Sequence, residues 1–443
     1  MRLVLVGGGG FRVPLVYRAM LARRDLGIRE LVLHDVDADR LAAISRVLRP
    51  DAGVRVRLAT SLAEAVRGAD FVFSAIRVGG AAGRVADERR ALSAGVLGQE
   101  TVGAGGLAYG LRTLPAALEL ARTVAELAPD AWLINFTNPA GMVTEASRTV
   151  LGERVIGICD SPVGLVRRAC RALRIPQAEL QAGEVVADYA GINHLGWLRA
   201  LRLNGRDLLP SLLASDTALA SFEEGRLFGG PLLRALRAVP NEYLYFYYRR
   251  AEVLRALADA PTRGEVVRRE QDEFYAAAAA RPAEAGELWE VTRLRREESY
   301  LAEARGSGES RDTADLAGGG YQEVALDLMQ ALSGGPAGRL IVNVANGSTL
   351  PQLPADLVVE VPCQVDAGGA RPLPVAPLEL HQLGLLASVR ASERAAIEAV
   401  VTGSAAAALR AFALSPLVDS AGTAERLLAG LLADDPASAE LLR

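Results

Sequence analysis

The chain opens on Leu3-Val4-Leu5-Val6, an unbroken apolar run that ends in Gly7-Gly8-Gly9-Gly10 and gives way, from Val13 to Leu26, to apolar residues at helical spacing. A short apolar run bounded by glycines predicts a strand buried on both faces, and the change to a 3.6-residue period predicts a helix behind it. The alternation recurs. Apolar runs at Glu30 to His34, Asp70 to Ile76, Ala131 to Asn135 and Val155 to Cys159 are separated by helical stretches, the pattern of a doubly wound parallel sheet. From about Leu173 the pattern shifts to two strands, Glu184 to Ala190 and Trp197 to Leu203, and then to long helical tracts rich in Arg, Glu and Ala. Two domains are expected at this length, residues 1–172 and 173–443, the second a mixed, helix-rich α/β unit. Gly, Ser, Asp and Glu replace apolar periodicity at residues 304–320 and predict a mobile loop. Residues 391–443 carry helical spacing interrupted at Pro416 and Pro436 and predict a terminal bundle.

A strand that breaks into glycines before a helix is the first turn of a Rossmann-like dinucleotide-binding unit. Gly7, Gly8, Gly9, Gly10 and Phe11 would let backbone N–H groups approach a pyrophosphate at the helix N-terminus. Asp35 closes the second apolar run at the distance suited to the adenosine ribose hydroxyls. The glycines do not form a strict G-x-G-x-x-G, and such a turn also serves plain packing.

Charge and composition narrow the partners. With 49 basic against 53 acidic residues there is no electrostatic footprint for nucleic acid and no polybasic membrane patch. No window approaches the roughly 20 apolar residues that span a bilayer. Three cysteines in 443 residues cannot form a disulfide framework, and the first residues lead straight into a strand rather than a signal segment. A cytoplasmic protein with a small-molecule partner is expected.

Three stretches carry possible chemistry. Cys159 ends a predicted strand, where doubly wound sheets bind ligands, and His194 is one of only three histidines. A buried cysteine is often no more than a small apolar residue. Thiolate with imidazole nevertheless suits a divalent metal, and a shell left open for substrate suits Lewis-acid catalysis better than a closed structural site. His34 and His381 have no such neighbours, and Cys170 and Cys363 fall within apolar helix and strand patterns. In Asn135-Phe136-Thr137-Asn138-Pro139, two amides at a strand end could read ligand hydroxyls or simply brace an Asn-Pro turn. Pro240-Asn241-Glu242-Tyr243-Leu244-Tyr245-Phe246-Tyr247-Tyr248 holds four of the ten tyrosines. It reads as core, or as the source of a tyrosine base whose pKa a metal and a nicotinamide would lower.

With these segments quoted, the chain resembles glycoside hydrolase family 4, the NAD- and metal-dependent glycosidases, over nearly its whole length. The resemblance is carried by the Gly7–Gly10 turn, Arg77-Val-Gly-Gly80 with Arg84, Gly98-Gln-Glu100-Thr101, Asn135–Pro139, Cys159-Asp160-Ser161-Pro162, Asn193-His194, Pro240–Leu244 and Asn346-Gly347. It implies a lactate/malate dehydrogenase-like arrangement, NAD and a divalent metal, manganese foremost, and a homodimer or homotetramer. In the family, NAD⁺ takes a hydride from C3 of the sugar and so acidifies the proton on C2. A metal at Cys159 and His194 would polarise the C2 and C3 oxygens, and a tyrosine at the position of Tyr243 would remove the C2 proton. Elimination of the aglycone, addition of water and return of the hydride leave no net oxidation, so the two-carboxylate spacing rules of other glycosidases do not apply.

The residues after the metal cysteine bear on substrate. Cys159-Asp160-Ser161-Pro162 matches neither the Cys-Asn-Val-Pro of many phospho-β-glucosidases nor the Cys-Asp-Met-Pro of phospho-α-glucosidases. Asp160 could protonate the leaving group, as in the phospho-α members, whereas Asn241–Tyr245 and Asn193–Gly196 look closer to the phospho-β members. The expectation is a 6-phospho-β-glucosidase acting on a phosphorylated disaccharide or glucoside. Arg77, Arg84, Asn138 and Arg263 are the substrate candidates; the guanidinium forks of Arg84 and Arg263 suit a 6-phosphate, or equally a surface ion pair. Three alternatives stand beside it: a 6-phospho-α-glucosidase, an NAD-dependent 2-hydroxy-acid dehydrogenase with Cys159 in the core, and a non-catalytic NAD sensor.

Overall fold

The computed structural model describes residues 1–181, 183–258, 260–299 and 320–443; the loop expected at residues 304–320 lies outside them except for Gly320. The apolar runs become β1 (Arg2–Val6), β2 (Glu30–His34), β4 (Phe71–Ser74), β5 (Trp132–Asn135) and β6 (Val155–Gly157), with β3 (Arg55–Leu58) at the edge. All six are parallel, in the spatial order β3-β2-β1-β4-β5-β6. The direction of winding reverses between β1 and β4, where such sheets open a crevice at their carboxyl ends. β3 has no apolar run to announce it because it is an edge strand with partly exposed side chains.

Helices cover both faces: α1 (Val13–Ala22), α2 (Gly80–Ser93), α3 (Gly103–Leu127), α4 (Ala140–Leu151) and α5 (Ser161–Ala172). The first is shorter than its pattern suggested. Residues Arg24–Leu26 tighten into a 3₁₀ turn that ends on Gly27, whose φ of +64° favours glycine.

The division expected at residue 172 falls at the end of α5, but hydrogen bonding crosses it. The two predicted strands form the hairpin β7 (Val185–Ile192) and β8 (Leu195–Leu203), followed by the short β9 (Arg206–Asp207) and β10 (Val239–Pro240). Helices α6 (Arg263–Ala280), α7 (Ala285–Glu298) and α8 (Tyr321–Leu332) come next, then β11 (Gly338–Ala345), β12 (Val358–Asp366) and β13 (Gly369–Pro372). Of these last strands only the apolar run around Cys363 was expected. β11 pairs antiparallel with β6, β12 with β11 and β7 with β12, so that thirteen strands among the described residues share one sheet. Gly157 permits the junction, since a Cβ there would lie 2.3 Å from Thr144 Oγ1 and 2.8 Å from Asn343 Cβ.

Helix α9 (Leu380–Thr402) and three shorter helices form the expected terminal bundle, packed on α2 and α3 through a cluster of Ala and Leu side chains. Among the described residues no helix is long and apolar enough to cross a membrane.

Candidate active site

The glycine turn after β1 is packed too tightly for side chains. A Cβ at Gly7 (φ +91°) would lie 2.5 Å from Ala75 O, one at Gly8 2.9 Å from His34 N, and one at Gly10 2.8 Å from Gly7 O. The Gly7 and Gly8 amides both donate to His34 O, Gly9 to Asp35 Oδ2 at 2.8 Å, and Gly10 to Gly7 O. The glycines therefore contribute closeness of backbone rather than free donors. Among the described residues the Phe11 amide has no acceptor, and it sits at the start of α1. Asp35 spends Oδ1 on the Asp37 amide, so its carboxylate braces the turn that it faces.

Gly7, Gly10, Phe11 and Asp35 line one end of a cavity of about 870 Å³ that runs past the strand ends; Gly8 and Gly9 lie behind its wall. Cys159, Asp160, His194, Tyr243, Asn138, Arg77 and Arg84 line the same cavity. Residues distant in sequence, from the segments after β4, β5, β6, β7 and β10 and from helix α2, are thus brought to one place.

His194 owes its position to a two-residue hairpin. Ile192 pairs with Leu195, so Asn193 and His194 form the whole loop, and His194 adopts φ +63°. Its Nδ1 is hydrogen-bonded to Thr101 Oγ1 at 3.0 Å, and its ring stacks on Tyr243 with centroids 3.7 Å apart and planes 11° off parallel. Nε2 is left for the cavity. Burial pulls the imidazole down to about 4, against the fields of Glu242 and Glu100, so it is neutral at pH 7 as a metal ligand must be.

Behind the Cys159 thiol lies a carboxylate that has no cationic hydrogen-bond partner among the described residues. Glu360, fully buried on β12, accepts from Tyr189 Oη at 3.1 Å, Asn343 Nδ2 at 3.0 Å and Asn193 Nδ2 at 3.4 Å. Burial raises it to about 7 despite these donors. Burial first, then Glu360 and Asp160, push the Cys159 thiol well above its ordinary range. A cation at this point would neutralise the charge and convert the thiol to a thiolate. Among the described residues no three His, Cys, Asp or Glu side chains cluster as a closed metal cage. The Cys159 and His194 pair thus fits a cation that takes its remaining ligands from a bound molecule.

Asp160 follows directly at the start of α5. Burial raises its carboxyl to about 6, with Arg12 opposing from 3.9 Å and Glu242 adding to the rise, so part of the population holds a proton near neutrality. Tyr243 sits on a 3₁₀ turn whose preceding residue is clamped: Glu242 accepts from Ser161 Oγ and from Arg168, each at 3.1 Å. Of the aromatic run, Tyr243 reaches this cavity, whereas Tyr248 accepts from Trp197 Nε1 and Phe246 is core.

The substrate candidates divide. Arg77 and Arg84 converge on Glu100 Oε2 at 2.8 and 2.6 Å, and Arg84 also donates to Glu88 at 2.7 Å. Burial opposes the charge on Glu100, but the two guanidiniums hold its carboxyl down to about 2. Asn138 faces the cavity with its Oδ1 on the Ala140 amide. Asn135, by contrast, bonds Thr137, Ala140 and Thr144, which resolves it as the brace of its own turn. Arg263 does not line the cavity. As the first residue of α6 it donates to Ser299 Oγ at 2.7 Å and Arg296 O at 2.9 Å.

Several residues of this arrangement were given no role from sequence: Thr101, Glu100, Arg168, Arg296 and Glu360. Glu100 and Thr101 stood in the quoted Gly98-Gln-Glu100-Thr101 motif without an assigned part, and Glu360 carried a signal of its own, as an acid inside the apolar run Leu357-Val358-Val359-Glu360-Val361.

Two family models match the chain: Family 4 glycosyl hydrolase over residues 2–175 and Family 4 glycosyl hydrolase C-terminal domain over residues 189–418. A 6-phospho-beta-glucosidase of Escherichia coli is 32% identical, with 96% of this chain and 93% of that protein covered. A probable 6-phospho-beta-glucosidase of Bacillus subtilis is 31% identical, with 98% and 96% covered. Among solved structures, the 6-phospho-beta glucosidase of Thermotoga maritima with manganese, NAD⁺ and glucose-6-phosphate is 26% identical and superposes with a TM-score of 0.82, covering 100% of this chain and 99% of that one. With family models matching both halves and a relative 32% identical over nearly its whole length, the chain belongs to family 4 of the glycosyl hydrolases.

Proposed function

We propose that this protein hydrolyses 6-phospho-β-glucosides with the help of NAD and a divalent metal, manganese foremost. The observation that carries the reading is the single cavity in which Cys159, His194 and Tyr243 face the glycine turn and Asp35. When bound, NAD⁺ supplies a temporary hydride acceptor and the metal, held by Cys159 and His194, supplies Lewis acidity at the sugar oxygens. Tyr243 takes the C2 proton; its ring is oriented by stacking on His194 and its backbone by Asn241 Oδ1. Asp160, partly protonated, gives a proton to the departing glycosidic oxygen. Glu100 holds Arg77 and Arg84 in a fixed fork for the 6-phosphate, and Asn138 meets a sugar hydroxyl. Arg263 acts from behind this group, since its guanidinium is occupied by Ser299 and Arg296.

The raised carboxyl of Asp160 in the cavity favours a second reading, a 6-phospho-α-glucosidase with Asp160 as the acid. Net hydride transfer as in a hydroxy-acid dehydrogenase is disfavoured, because His194 is partnered by Thr101 and Tyr243 instead of the carboxylate such a base requires. A cytoplasmic location and a homodimer or homotetramer belong to the same proposal, the former supported by three buried free thiols.

The deciding assay is release of p-nitrophenol from matched 6-phospho-β- and 6-phospho-α-glucosides, with and without NAD⁺, Mn²⁺ and reductant. Cleavage of the β anomer that needs both cofactors is expected. Cleavage of the α anomer alone would transfer the assignment, and NADH accumulating on some other substrate with neither glucoside cleaved would end it. A second expectation concerns Thr101→Val, which removes the partner of His194 Nδ1. Mn²⁺ affinity, read by electron paramagnetic resonance of the free ion, should fall roughly 10- to 100-fold; unchanged affinity would mean that Thr101 does not orient the ligand.

A further inference from the structure

The turn that follows β1 is gripped from outside by the second half of the chain. Tyr275 Oη donates to Gly9 O at 2.7 Å, Trp289 Nε1 to Phe11 O at 2.8 Å and Tyr321 Oη to Arg12 O at 2.8 Å. The donors come from three separate helices, α6, α7 and α8. Trp289 and Tyr321 are fully buried. Phe11 is also held by its ring, edge-on to Phe274 at 5.3 Å, tilted against Trp289 at 5.7 Å, and under the Arg296 guanidinium at 4.5 Å.

The carbonyl and N–H of a trans peptide point in opposite directions. Fixing the carbonyls of Gly9, Phe11 and Arg12 therefore fixes three peptide planes. The plane enclosed by them, Gly10 to Phe11, is set as well, because Gly10 O accepts the Val13 amide at 3.1 Å. Its N–H, that of Phe11, has no acceptor among the described residues, and both Gly10 and Phe11 line the cavity. A helix N-terminus offers its amides to an anion only as well as the preceding turn is held.

We propose that Tyr275, Trp289 and Tyr321 are positioning residues for the cofactor: they lock the turn so that the Phe11 amide faces the pyrophosphate. The proposal rests on the reading of this turn as the NAD site. The affinity for NAD is then set partly by helices that belong to the substrate half. Two of these helices, α6 and α7, carry Arg263 and Arg296, and the Gly264 amide of α6 donates to Glu88, which also holds Arg84, so one scaffold holds the cofactor turn and stands behind Arg84.

The test is direct binding to the full chain, without metal or sugar, of NAD⁺ and ADP-ribose by calorimetry and of adenosine by ligand-observed NMR. Tyr275→Phe and Trp289→Phe each remove one donor and keep an aromatic ring; Tyr275→Phe keeps nearly all the volume as well. Each should weaken NAD⁺ and ADP-ribose about fivefold to tenfold, the scale of one hydrogen bond, and leave adenosine, which lacks the pyrophosphate, within about twofold. Unchanged NAD⁺ affinity in both variants would overturn the proposal, as would an equal loss for adenosine, the signature of general damage. If the unaltered protein bound no NAD⁺ at all, the cofactor reading itself would fall.

Discussion

Cys159→Ser is expected to remove glycosidase activity by about a thousandfold or more while NAD⁺ binds within about twofold of its normal affinity. The side chains are nearly the same size, so the site keeps its shape. What changes is the donor: a hydroxyl in this buried position neither ionises nor offers a soft ligand, and the Lewis acidity lost with the metal amounts to several kcal/mol of barrier, about 1.4 kcal/mol per factor of ten. Cys159 follows β6, which β5 and β4 separate from β1 and its glycine turn, and Asp35 follows β2 beyond them, which is why cofactor affinity should be spared. Glycosidase rate with saturating NAD⁺ and Mn²⁺, set beside calorimetric NAD⁺ binding, checks both halves. A fully active serine variant would end the metal assignment. A variant that lost NAD⁺ binding in parallel would indicate collapse of the sheet end.

Tyr243→Phe should suppress exchange of the C2 hydrogen with D₂O by roughly 10²- to 10⁴-fold, the usual contribution of a placed general base. Phenylalanine retains the ring that stacks on His194 at 3.7 Å, so the imidazole keeps its orientation and only the phenolic oxygen is lost. Mass spectrometric incorporation of deuterium into the sugar isolates this step from leaving-group departure. Unchanged exchange would assign proton removal to another group, and Asp160, which lines the same cavity, would be the next to replace. The preceding residue makes the variant tolerable to the fold, because Glu242 remains tied to Ser161 and Arg168.

The parallel half of the sheet was legible because each of its central strands is buried on both faces and must be a short apolar run. Edge strand β3, Arg55-Val56-Arg57-Leu58, is half exposed and wrote no such signal. Strands β11 and β12 were mostly hidden for another reason: Asn343 pairs with Gly157 of β6, 186 residues earlier, and Glu360 with Gly191 of β7, 169 residues earlier, and no local periodicity encodes so distant a pairing. The same distance concealed Glu360, whose meaning depends on Tyr189, Asn193 and Asn343.

By itself the sequence determined the strand-turn-helix entry, the acidic end of the second strand, and the residue types of the candidate site, Cys159, His194 and Tyr243. Each of these follows from local rules, since burial dictates apolar runs, tight turns dictate glycine, and chemistry dictates side-chain type. Tertiary structure alone decided which of those residues meet. It set Arg77 and Arg84 against Glu100, turned Arg263 toward Ser299, drew Asn135 into its own turn, and pinned the glycine turn with aromatics from helices more than 250 residues away. Hydrogen bonds and ion pairs act over a few ångströms of space, irrespective of separation along the chain, so they become determinate only when the sheet has brought its two halves together.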